Sequence, residues 1–136
     1  MADISVTGGS VIIGETGVQD HGIAGASITR GQTLYKDSSD SDKLKAAITT
    51  TAATAACVGI ALNQASSGQP LAYCRAGAIN PGGTVAVGTV YIVSLNAGGI
   101  APITDVLTGQ FVTVIGVGTA TNTIDVSLHA SGVAKA

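Results

Sequence analysis

The sequence predicts an all-β protein: a compact β-barrel or β-sandwich of short antiparallel strands with long Gly-rich turns, at most one short helix, and an extended N-terminal arm. Three observations carry this. Val, Ile and Thr make up 43 of the 136 residues, and branching at Cβ favours strands over helices. Nineteen glycines cut the apolar runs to strand length, the pattern of many short strands joined by turns. Aromatic residues are only 3% and charged residues 10% of the chain, against about 25% charged in an ordinary soluble domain. The core is therefore aliphatic, and much of the surface is expected to lie against other copies or a larger partner.

Residues 1–29 alternate short apolar pieces (Ile4 and Val6, then Val11, Ile12 and Ile13) with many glycines. Glycine adds chain entropy that folding must overcome, so this segment reads as a partly extended arm, and 30–136 as a single β domain. RGQTLYK (30–36) is a strand and DSSDSD (37–42) an exposed turn. KLKAAI (43–48) is ambiguous. TTTAATAAC (49–57) suits one helical turn capped by Thr50 or Thr51, because Ala favours helix and Thr accepts from free amides at a helix start. VGIAL (58–62) and LAYCRAG (71–77) form a hairpin across NQASSGQP (63–70). NPGG (80–83) is a turn, TVAVGTVYIVS (84–94) a strand and NAGG (96–99) the next turn. QFVTVIGVG (110–118) and TIDVSLH (123–129) are the last pair.

A weak repeat runs through this order. Gly31 and Gly59 are 28 residues apart, as are Gly88 and Gly116. Two related units at about 30–77 and 87–133 are expected. In the hairpin, a register with Cys57 opposite Cys74 would put Val58, Ile60, Leu62, Leu71 and Tyr73 on one face. Cys57, Gly59, Ala61, Ala72, Cys74 and Ala76 would form a small-residue face on the other.

The chemistry-bearing residues are few. DSSDSD lacks the Gly and the later Glu of a calcium loop, so a solvated turn is expected and no metal or other cofactor. His21 and His129 lack partners at ligand spacing. Cys57 and Cys74 have no CxxC partner; buried free thiols or a later cross-strand disulfide remain open. GVG at 116–118 fails as a dinucleotide fingerprint, because a strand follows where a helix should start. No nucleophile motif or acid–base pair is present, so neither an enzyme nor a small-molecule substrate is expected. Six basic residues without a cluster argue against nucleic-acid binding. The 29 residues between Arg75 and Asp105 are uncharged, yet too broken by Gly, Pro, Asn, Ser and Thr to span a membrane as a helix. The N-terminal MADISVTGGS has no basic start or apolar block, so no export signal is expected.

The stretches VGIALNQASSGQPLAYCRAG, GTVYIVSLNAGGIAPITD and TGQFVTVIGVGTATNTIDVSLHASGV resemble the small capsid decoration, or cement, proteins of tailed bacteriophages. Gly88-Thr89-Val90-Tyr91, continuing to Gly98-Gly99-Ile100-Ala101-Pro102, is the most specific piece. The resemblance covers about 58–134, with weaker support from RGQTLYKDSSD at 30–40. It implies a mainly-β domain, a homotrimer, a seat on the outside of an icosahedral head, and the major capsid protein as partner. The product would be made in the bacterial host cytoplasm and end on the virion. Partner contacts are expected from Ile4, Val6, Val11, Ile12 and Ile13, by apolar packing or by pairing at a strand edge. A ligand-binding adhesin or lectin-like module, or a self-assembling tube or fibre subunit, are the competing readings.

Overall fold

A computed structural model describes Asp3, Ile4, Val6, Gly9 and residues 11–136; Met1, Ala2, Ser5, Thr7, Gly8 and Ser10 of the arm lie outside the described residues. Of the described residues 52% are in strands, ten antiparallel strands in one sheet curled as a half-barrel, with almost no helix among them. The strands are β1 (Val11–Ile13), β2 (Val18–Ile23), β3 (Thr33–Asp37), β4 (Lys43–Ala46) and β5 (Cys57–Ala61). β6 (Pro70–Pro81), β7 (Val90–Val93), β8 (Ile100–Pro102), β9 (Phe111–Ala120) and β10 (Thr123–Ala134) follow. The order across the sheet is β4-β3-β5-β6-β10-β9-β7-β8, and β1 and β2 both pair with β6. Helix α1 (Ala52–Ala55) is a single turn capped by Thr51, whose Oγ1 accepts from the Thr54 amide at 3.2 Å.

The sheet order is palindromic, and the two halves share their register. β3 pairs with β5 as Thr33↔Ile60, Leu34↔Gly59 and Tyr35↔Cys57, with a bulge after Leu34. β7 pairs with β9 as Val90↔Val117, Tyr91↔Gly116 and Ile92↔Val114, with a bulge after Tyr91. Every position in the second set lies 57 residues after its counterpart. The hydrogen bonds at the strand entries correspond too: Gly31 N–H to Ala61 O (2.9 Å) and Gly88 N–H to Gly118 O (2.8 Å). Gly31 and Gly88 have φ of 86° and 81°, where a side chain would be strained. Gly59 and Gly116 serve a different need, since an added Cβ at either would run into the carbonyl oxygen of the neighbouring strand, Cys74 or Asp125.

Two apolar clusters fill the fold. Ala24, Ile28, Leu34, Leu44, Ala61, Ala65, Leu71 and Tyr73 form the first, enclosed by the first half. That half closes on itself, because Ala24 bridges Leu44 in parallel and the Gly25 amide donates to the Leu44 carbonyl (2.8 Å). The second cluster holds Ile79, Val85, Tyr91, Val93, Ile100, Ile115, Ile124 and Val126 of the second half. It also takes Cys57, Ile60 and Cys74 from the far face of the first. The seam between the halves is thus buried, and the two clusters stack on opposite faces of β3 and β5.

The hairpin register differs from the expected one: Ile60, not Cys57, lies opposite Cys74. The loop is the cause. Ala65 is drawn inward to bridge Ile28, and Asn63 Oδ1 takes the Ala72 amide at 2.7 Å. The strands therefore meet at Leu62 and Ala72, whose N–H···O bond is 2.9 Å. The expected bulky and small faces dissolve accordingly. KLKAAI contains β4, while TVAVGTVYIVS yields a strand only from Val90, because the positive φ at Gly88 turns the chain first. β6 runs to Pro81, so the NPGG turn begins at Gly82.

Candidate interaction surface

The arm's apolar side chains have distinct fates. Val11 is 5% exposed and belongs to the second cluster, against which Ile4, Val6 and Ile13 also pack. Only Ile12 of the five faces outward, at 62% exposure. β1 pairs as Val11↔Pro81, Ile12↔Asn80 and Ile13↔Ile79. The Ile4 amide donates to the Ile100 carbonyl on β8 (2.9 Å), and the Asp3 carboxylate accepts from Ser94 Oγ (2.6 Å) and Asn96 Nδ2 (3.1 Å). Between Ile13 and Val18 the chain crosses β6, because β1 and β2 pair with the same strand. Gly77 lies at the crossing with φ 81°, and an added Cβ there would collide with the Thr16 carbonyl.

The outward face of the second half carries a run of apolar and small side chains. Its cross-strand row runs Ala78 (β6), Asp125 (β10), Val117 (β9) and Val90 (β7). Val18 opposite Ala76 and Ile12 opposite Asn80 flank the row on the β6 side. Exposed Val87 precedes the Gly88 turn bonded to Gly118. Asp125 brings the row's one charge. At the sheet's β8 end, exposed Leu95 and Leu107 border a shallow cavity of about 370 Å³, with Asp3, Ser94, Asn96 and Gln110 among its polar lining. Sequence reading did not place Val87, Val90 or Val117 among the contact residues. In a Val-rich strand, outward and inward valines look alike until the bulge sets the phase.

The ionisable groups are arranged for structure. Asp37 caps the 3-10 turn Ser38–Asp40 and receives a hydrogen bond from Lys45 Nζ at 2.7 Å; Asp40 lies 3.2 Å from the same ammonium. The Lys45 hydrogen bond, helped by those from Ser39, lowers the Asp37 pKa to about 2, and the pairing raises that of Lys45. A depressed carboxyl contributes stability above its unfolded pKa of about 3.9, lost as pH falls towards the folded value. Thermal melts should therefore lose stability between about pH 4 and pH 2. A Lys45→Met variant should lose measurably less over that window, and an identical slope would refute the assignment.

Cys57 and Cys74 are free thiols, both buried. Burial pushes the Cys57 thiol up to about 11 and raises that of Cys74, so little thiolate forms at neutral pH. Both should resist an aromatic disulfide reagent in the native state and react fully in denaturant. Native labelling at the rate of a free peptide thiol would show the core open. His21 is exposed beside Gln19, and His129 is exposed on β10. No group of three His, Cys, Asp or Glu side chains able to hold a metal occurs among the described residues.

The site is thus a set of surfaces: an aliphatic sheet face, a strand edge already paired by the arm, and a shallow end cavity. Comparison with known proteins found no matching family model, no similar curated protein and no similar solved structure.

Proposed function

We propose that the chain is a capsid decoration protein that binds the outside of an icosahedral phage head and braces contacts between major capsid protein subunits. The observation that supports this most directly is the outward face of the second half, where exposed Ile12, Val18, Val87 and Val117 are joined by small residues with one carboxylate, Asp125, in their row. Contiguous apolar surface of this kind marks interaction sites. It suits a flat, extended partner better than a small ligand, which prefers a concave pocket. The sequence resemblance supplies the partner class. A specific interface buries on the order of 1,600 Å², and a homotrimer contacting several capsid subunits multiplies modest contacts into slow release.

The test mixes the purified full chain with undecorated heads, images where it lands, and repeats with Val117→Lys and Ile12→Asp. The wild type should decorate the shell at regular positions. The variants should keep melting temperatures within a few degrees and lose occupancy about tenfold or more. A wild type that leaves the heads bare, or folded variants that bind as well as wild type, would refute the proposal.

A further inference from the structure

Each strand of the outward face has a counterpart in the first half. There one cross-strand row runs Thr33 (β3), Ile60 (β5), Cys74 (β6) and Gln19 (β2). The strands in the same places of the second half give Val90 (β7), Val117 (β9), Asp125 (β10) and Ala78 (β6). Thr33, Ile60 and Cys74 are fully buried. Ile60 and Cys74 belong to the second cluster, so the second half covers this row, and no member of that cluster is charged. In the later row Val117 is 40% exposed and Asp125 is exposed. A face that the fold covers in its first half is thus open in its second, and a carboxylate stands where the covered face has a thiol.

We propose that the Asp125 carboxylate receives a lysine or arginine side chain of the capsid partner, and that this cation fixes where the outward face seats on the shell. The inference rests on the decoration reading and names the chemistry of its partner: an aliphatic surface bearing one basic group. No hydrogen bond or ion pair reaches the Asp125 side chain among the described residues, and Lys43 and Lys45 are held by Asp37 and Asp40 in the β3–β4 hairpin. The loop crossing β6 is bonded to Ala78 through the Gly14 amide (2.8 Å) and Thr16 Oγ1 (3.0 Å). It brings Glu15 and no cation. Val117 stands directly opposite Asp125, so a partner that covers the valine strips water from the carboxylate too. Covering a carboxylate without a counter-charge is costly. A cation on the partner removes that cost and gives the contact its register. A second copy docked as the two halves dock on each other does not meet this need, because the cluster that does the covering is uncharged. Nucleic acid and anionic lipid fail as well, since their phosphates would meet a carboxylate.

The test titrates the purified full chain onto undecorated heads and counts bound copies for the wild type, Asp125→Asn, Asp125→Lys and Asp42→Asn. Asp42 is exposed on the β3–β4 turn, and its variant matches the charge change of Asp125→Asn. All four chains should melt within a few degrees of one another, since neither side chain is buried. Asp125→Asn should bind about tenfold more weakly and Asp125→Lys about thirtyfold or more, while Asp42→Asn matches the wild type. Raising salt from about 50 mM to about 500 mM should weaken the wild type more than Asp125→Asn, which has no pair left to screen. Equal binding by the wild type and both Asp125 variants, or tighter binding by Asp125→Asn, overturns this inference alone. Heads left bare by the wild type refute the decoration reading, and the inference falls with it. If Asp125→Lys instead splits an oligomer of the free chain on a sizing column, the cation belongs to a second copy and the proposal is overturned.

Discussion

Replacing Gly116 with valine is expected to cost about 3 kcal/mol or more and to lower the melting temperature by about 10 °C or more. The added Cβ would fall on the main-chain Asp125 carbonyl and crowd the Val126 Cα. A carbonyl held in a strand pair cannot swing aside as a long side chain would, so β9 and β10 must separate locally and disturb Ile115, Ile124 and Val126 beneath them. Gly59→Val should behave alike, since its Cβ would lie 2.6 Å from the Cys74 carbonyl oxygen and 2.5 Å from the Tyr73 ring. Gly109→Val gives a contrast, because nothing lies near its Cβ position. Its φ of 88° costs only backbone strain of about 1–3 kcal/mol. Thermal melts of the three variants decide the matter. A loss below about 1 kcal/mol at both Gly59 and Gly116 would mean that the strand pairs are looser than their register implies.

This matched pair also shows what the sequence could carry. The 28-residue spacing of Gly31–Gly59 and Gly88–Gly116 reflects a physical need shared by both halves, a turn glycine followed by a close-approach glycine. Strand type was legible from β-branched alternation, and the helical turn from Thr51 ahead of an Ala run. Register was not legible in the 63–70 hairpin, because it depends on Ala65 reaching Ile28, a contact 37 residues away in sequence. β8 escaped notice because three residues ending in proline carry no period. The arm was the harder case. Ile4, Val6, Val11 and Ile13 read as free apolar contacts when their partners, Ile100, Gly31 and Pro81, lie far along the chain. Ile12 alone among them shows its side chain to solvent.

Deleting residues 1–13 should therefore act first on stability. Full burial of a Val or Ile side chain contributes about 1.5–3 kcal/mol. Val11 counts almost in full, and Ile4, Val6 and Ile13 in part, so the loss is roughly 4–7 kcal/mol, an upper estimate given residual burial in the unfolded chain. Domains of this size hold only about 5–15 kcal/mol. The truncated chain should melt about 15 °C or more below the full chain, or lose its cooperative transition, because β8 loses its bond from Ile4 and the second cluster loses Val11 and the packing of Ile4, Val6 and Ile13. A peptide of residues 1–13 added at a hundred times its dissociation constant should restore about 2.7 kcal/mol. Ile12→Asp, on the outward side of the same strand, should leave the melt nearly unchanged, since it removes no buried contact. A truncated chain that melts within about 3 °C of the full one would show that the arm adds nothing to the core.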